Sequence, residues 1–169
     1  MIFDSPAHDE VVMTDEQTQL IEELDHARAT MRELIADLTP ASEIYPGWTL
    51  RQFLAHLTGW DDVVTTSLQA HGRGETPATP VVRGIDYYNA ESVATRETLD
   101  LDHIVKEWEL AREQLKAAIR ELPEDRMTEP LLHPWGRPGS VAKLVRIMIH
   151  HEGEEHADEI RQMKAKRAS

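Results

Sequence analysis

The chain has 169 residues, 40% of them hydrophobic, which suits one domain with a closed core. Its formal net charge of -13, from 31 acidic against 18 Lys and Arg residues, argues against nucleic acid as a partner, because a phosphate backbone requires clustered basic side chains. No apolar run approaches the roughly 20 residues that cross a bilayer, and the opening Met1–Glu10 is acidic where a targeting segment is basic and apolar, so a soluble, cytoplasmic protein with no membrane partner is expected. Zero cysteines exclude disulfides, a cysteine nucleophile and thiolate-held zinc, leaving His and carboxylate as metal ligands.

Thr14 and Gln17 have the spacing of a capping box, and Leu20, Ile21, Leu24, Ala27, Met31, Leu34, Ile35 and Leu38 recur at helical spacing, predicting a first helix from Thr14 to about Asp37. Pro40 and the Tyr45-Pro46-Gly47 turn break the chain. Thr49 with Gln52 repeats the capping pattern before a second helix to about His71, whose inner face carries Leu50, Phe53, Leu54, Leu57, Trp60, Val64 and Leu68. A Gly-, Pro- and Thr-rich connection from Gly72 to Gly84 leads to a short helix over Asp86–Arg96. Asp100 or Asp102 caps the next helix, which runs to about Leu122 with Ile104, Trp108, Ala111, Leu115, Ala118 and Ile119 facing inward, and Pro123 ends it. The segment Pro130–Gly139 reads as a lid or crossing loop without strand alternation. Ser140 then caps a last helix to about Lys164, striped by Val141, Leu144, Val145, Met148, Ile160 and Met163. Four long amphipathic helices make an all-α four-helix bundle the simplest architecture, because each apolar stripe needs neighbours to cover it.

His56 on the second helix, with Glu152 and His156 on the last, forms the candidate metal site. Positions four apart on an α-helix differ by about 40°, so Glu152 and His156 face the same way, inside the apolar stripe where a buried carboxylate and imidazole demand a partner. His151 and His156 are five apart, about 140° in α geometry, and are not expected to chelate together. His151 with Glu155 is the competing pair, at the stripe's margin. Three ligands from two helices leave coordination positions for water or substrate, as in a reactive metal site. Asp61 is an alternative oxygen donor or a partner of Trp48 or Trp60, and Glu159 is placed to support the ligands. Asn89, Val93 and Arg96 share a face of the short helix, which makes Asn89 and Arg96 candidate catalytic residues that reach the metal cavity and bind an anionic group, or else leaves Arg96 paired with an acid. Trp135 is a candidate to line the entrance, and Tyr87 or Tyr88 to supply a phenol. His8, His26, His71, His103 and His133 have no convergent partners by spacing and are expected to face solvent or cap helices.

Trp48-Thr49 and His56-Leu57-Thr58-Gly59-Trp60, then Asp86-Tyr87-Tyr88-Asn89-Ala90 with Arg96, and finally His151-Glu152 with His156-Ala157-Asp158-Glu159-Ile160, resemble the DinB-like superfamily over nearly the whole chain. Within it the chain looks most like the branch holding the amino-terminal domain of mycothiol-dependent maleylpyruvate isomerase. The resemblance implies an up-up-down-down bundle forming a homodimer and a divalent ion, zinc or nickel, held by His, Glu and His at its open end. It also implies a low-molecular-weight thiol cosubstrate and thiol-dependent transferase or isomerase chemistry on an electrophilic small molecule. A metal-activated hydrolase of the self-protection kind and a non-catalytic small-molecule-binding bundle are the rival readings.

Overall fold

The computed structural model describes residues 12–169, so Met1–Glu10 and His8 lie outside the described residues. Helix α1 (Asp15–Ile35) starts at the expected box: the Thr14 amide donates to Gln17 Oε1 at 2.8 Å and the Gln17 amide donates to Thr14 Oγ1 at 3.2 Å. Strands β1 (Glu43–Tyr45) and β2 (Trp48–Thr49) form a small antiparallel ribbon around the Pro46-Gly47 turn. Helix α2 (Leu50–Gly72) begins where the Thr49 amide donates to Gln52 Oε1. A 3₁₀ turn (Pro80–Arg83) precedes α3 (Ile85–Ala94). Helix α4 (Leu101–Arg120) is capped by Asp100, which accepts from the His103 amide at 2.9 Å.

The segment expected to be a crossing loop is instead a hairpin. After α5 (Glu124–Thr128), β3 (Leu131–Leu132) pairs with β4 (Pro138–Gly139), strands too short for alternation to show in sequence. The last helix is also interrupted. It consists of α6 (Val141–His150), a π-helical segment (His151–His156) and α7 (Ala157–Ala168). Among the described residues no helix is long and apolar enough to cross a membrane.

The all-α four-helix bundle is formed by α1, α2, α4 and the α6–α7 rod. The contacts set their directions. Gln17 at the start of α1 donates to the carbonyls of Ile119 and Leu122 at the end of α4, so these two helices are antiparallel. Arg51 near the start of α2 donates to the Glu97 carbonyl ahead of α4, and His71 near its end bonds the Arg126 carbonyl beyond α4, so α2 and α4 are parallel. Arg146 and Lys164 meet Glu16 and Asp37 in that order, making the last rod parallel to α1. The order is therefore up-down-down-up rather than up-up-down-down. The long segment between α2 and α4 returns the chain to the end where α2 began, which permits the parallel pair.

Two apolar clusters fill the bundle. One joins Leu20, Leu24, Val64, Leu68, Leu115, Ile119, Leu144 and Val145, and the other joins Met31, Phe53, Leu54, Ile104, Trp108 and Ile160. Between them, one residue from each long helix forms a buried charged layer: Arg28, Asp61, Arg112 and Glu152, all at most 2% exposed. Arg28 Nε and Nη2 donate to Glu152 Oε1 and Oε2 at 2.7 and 3.1 Å, and Nη2 also reaches Asp61 Oδ2 at 2.9 Å. Arg112 donates to both Asp61 oxygens at 2.9 and 3.2 Å and to Glu152 Oε2 at 2.9 Å. The remaining donors go to carbonyls, Arg28 to Trp108 and Arg112 to Leu24, and the Arg28 guanidinium lies 4.0 Å over the Trp108 ring. Two positive and two negative groups cancel, which is the condition under which buried ions are tolerated. Removing one leaves a charge uncompensated. Arg112→Ala is therefore expected to cost about 3–5 kcal/mol in urea unfolding, and a loss under about 1 kcal/mol, the scale of an exposed pair, would show that the layer is not closed.

Candidate metal centre

His56, His151 and His156 converge where the π segment faces α2. The Nε2 atoms stand 3.3 Å apart for His56 and His151, 3.2 Å for His56 and His156, and 2.9 Å for His151 and His156. Nitrogens sharing one tetrahedral ion at about 2.0–2.1 Å lie about 3.3 Å apart, so the spacing suits a first-row divalent cation. Hydrogen bonding alone accounts poorly for the triangle, because a neutral imidazole offers one donor and one lone pair and three ring nitrogens facing one another leave lone pairs opposed. Imidazole suits several first-row metals, zinc, copper, iron and nickel among them.

Glu152 does not join this group, and His151 takes the place expected for it. In a π segment the hydrogen bond closes at i→i+5, so the five-residue step from His151 to His156 completes about one turn and puts both rings on one side. The same widening turns Glu152 into the charged layer. Burial acts to raise the Glu152 pKa, but Arg112 and then Arg28 outweigh it and hold the carboxyl below its ordinary value. Gly153 allows the bulge to press on α1, since a Cβ there would lie 2.8 Å from Ala27 Cβ.

The surroundings keep His56 and His151 neutral and orient all three rings. Burial, followed by the neighbouring His151 and His156, pushes His56 down to about 2, and burial followed by His156 pushes His151 down to about 3, so both carry lone pairs across the physiological range. His156 Nδ1 lies 2.7 Å from Glu159 Oε2, a carboxylate–histidine contact that makes Nδ1 the donor and turns the Nε2 lone pair inward. Tyr45 Oη touches both His156 Nδ1 and Glu159, and burial raises its phenol pKa, with Glu159 adding to the rise. Trp48 packs edge-on against His56 at 5.3 Å and Phe53 against His156 at 5.2 Å.

Asn89 Oδ1 accepts from Trp60 Nε1 at 3.0 Å, and its side chain borders the cavity in front of the triad. Helix α3 approaches that closely because Gly59 has no side chain: a Cβ there would meet Ser92 Oγ at 2.5 Å. Arg96 stands apart. Its guanidinium is held by Asp62 at 2.5 Å and Glu107 at 2.7 Å, and it lines a separate recess with Trp48 and Arg51, so it does not reach the metal cavity. Asp61 pairs with the two arginines and not with a tryptophan. Tyr87 Oη donates to Glu91 and Tyr88 Oη to the Gly59 carbonyl, so neither phenol serves the triad. His71 and His133 are buried and donate to the carbonyls of Arg126 and Ser140, instead of facing solvent, whereas His26 and His103 are exposed.

The triad opens onto a cavity of about 970 Å³ lined by His56, His151, Trp60, Trp135, Asn89 and Met148 among others. Imidazoles beside an apolar chamber within a helical bundle define the class of a helical bundle with a candidate metal site open to small molecules. Residues 18–161 match the mycothiol maleylpyruvate isomerase N-terminal domain, and the chain belongs to that family. It is similar to the crystal structure of the mycothiol-dependent maleylpyruvate isomerase, with a TM-score of 0.68 at 22% identity, over 88% of this chain and 63% of that one. A histidine-to-alanine mutant of that isomerase gives a TM-score of 0.67 at 22% identity over the same shares. The chain thus spans about 63% of the length of the solved structures it resembles, and the likeness establishes the fold. No curated protein matches it.

His151→Ala is expected to weaken zinc or nickel binding by at least 10–100-fold in a competitive chelator titration. Glu152→Gln should lower stability first, with a smaller loss of affinity. If the His151 variant binds metal like the parent, His151 is not a ligand.

Proposed function

We propose that the chain is a metal-dependent domain that activates a low-molecular-weight thiol for transfer to, or isomerisation of, an electrophilic small molecule. The observation that carries this reading is the Nε2 triangle of His56, His151 and His156, of which the His56 and His151 rings line the large cavity. The family name and the mycothiol-dependent isomerase among its structural neighbours support the choice of a thiol. A divalent ion would be held by His56, His151 and His156, and when bound it would supply the Lewis acidity that lowers the pKa of a thiol or water.

The protein's own residues supply the rest. His56 and His151 stay unprotonated and aim Nε2 at the common point, and Glu159 with Tyr45 fixes the tautomer and tilt of His156. Trp60, Trp135, Met148 and Ile147 give the walls apolar surface against which the body of a small molecule can pack. The nucleophilic sulfur must come from a cosubstrate, because the chain has no cysteine. Asn89, already tied to Trp60, is placed to orient a polar group of a bound molecule.

Protein purified without chelator and without a histidine tag should carry close to one divalent ion per chain by elemental mass spectrometry, and His56→Ala should lose it. Turnover of an electrophile such as a maleyl conjugate should require added thiol. Metal-free parent protein of full stability would contradict the metal, and undiminished turnover without thiol would favour the hydrolase.

A further inference from the structure

The permanently cationic side chains of the cavity lining both come from α6. Lys143 and Arg146 are three residues apart on α6, share a face and line the cavity's rim, while Trp60, Ile85, Trp135, Ile147 and Met148 make up its walls. Both basic side chains are exposed. Among the described residues the ion-paired lysines are Lys116 and Lys164, so Lys143 is uncompensated. Arg146 forms long ion pairs with Glu16 and Glu23 at 3.8 and 3.9 Å, which partly offset its charge but lie beyond hydrogen-bond length and so leave its guanidinium donors able to bond a ligand. The acid on the rim, Glu155, has His150 Nε2 at 3.2 Å. Lys143 and Arg146 set two positive charges beside this apolar lining on a chain whose net charge is -13, so any attraction they exert on an anion is local.

We propose that Lys143 and Arg146 are specificity-determining residues that select an amphipathic carboxylate, a molecule with an aromatic or branched apolar body and one carboxyl group, as the electrophile of this site. The apolar body lies between Trp60 and Trp135, and the carboxylate meets the Arg146 fork and the Lys143 ammonium at the rim. A chamber of about 970 Å³ accommodates a drug-sized body rather than a two- or three-carbon acid. One carboxylate is preferred over a phosphate because Glu155 and the acidic chain oppose a second negative charge. This assignment rests on reading the cavity as the substrate chamber of the proposed enzyme.

The test is calorimetric titration of the metal-loaded protein with 2-naphthylacetate, 2-naphthylacetamide, 2-naphthyl phosphate and acetate. The parent should bind the naphthyl acid roughly tenfold tighter than its neutral amide, a difference of about 1.4 kcal/mol, and should bind the phosphate and acetate more weakly than the naphthyl acid. The surface double variant Lys143→Gln with Arg146→Gln should lose the preference for acid over amide while its amide affinity stays unchanged. Equal affinity for acid and amide in the parent, a preference that survives in the double variant, acetate binding as tightly as the naphthyl acid, a tighter phosphate, or no binding of any probe would each overturn the assignment. Repeating the titration on His56→Ala separates the two readings: a retained acid preference without metal leaves the rim assignment standing if the metal reading falls.

Discussion

Two arginines and two carboxylates buried midway along the bundle constrain all four long helices at once. Arg28, Asp61, Arg112 and Glu152 come one from each helix, and their hydrogen bonds run between helices as well as to the backbone carbonyls of Leu24 and Trp108. Apolar side chains on either side tolerate small slips, since their attraction is not directional. A bidentate guanidinium–carboxylate contact does not tolerate them. Shifting any one helix by a residue would leave an ion buried without its partner, so the layer specifies register where the apolar clusters supply the bulk of the stabilisation.

The candidate metal centre follows from that constraint. Glu152 is drawn into the core by two guanidinium groups, and the chain on either side of it must carry His151 and His156 to the neighbouring surface of the bundle. The widened π turn satisfies both demands, with Gly153 letting it sit against Ala27. His56 meets the two rings from α2, the same helix that gives Asp61 to the layer, so the histidine triangle and the clamp share supports. Glu159 and Tyr45 then hold His156 from behind.

Much of the fold was legible because its signals are local. Thr14 with Gln17 and Asp100 mark helix starts through hydrogen bonds made within one turn, and the inward stripes follow from the 3.6 repeat. Helix direction was less accessible, because it depends on where long connections cross, and the tiny hairpins have too few residues to alternate. Glu152 was recognisable as a buried carboxylate in need of a partner, but the partners are arginines on α1 and α4, whose positions relative to it are set only by tertiary packing. The π segment departs from the unbroken α geometry that the 3.6 repeat implies. A signal was present: Met148 and Ile160 are both buried, yet twelve residues of α-helix leave them about 120° apart, whereas one extra residue taken up in a bulge brings them within about 20°. The five-residue step between His151 and His156 carries the same phase slip. Arg96 sits in the short helix as expected, but Asp62 and Glu107 capture it, an outcome that spacing along one segment does not reveal.

The most direct test of this account is a crystal structure of the metal-loaded protein with anomalous data at the absorption edge of the bound ion. The account predicts one ion bonded to Nε2 of His56, His151 and His156, with Glu152 retained on Arg28 and Arg112 and His151 to His156 still in a π turn. A Glu152 oxygen bonded to the ion, or a straight α-helix that turns His151 away from His156, would contradict it.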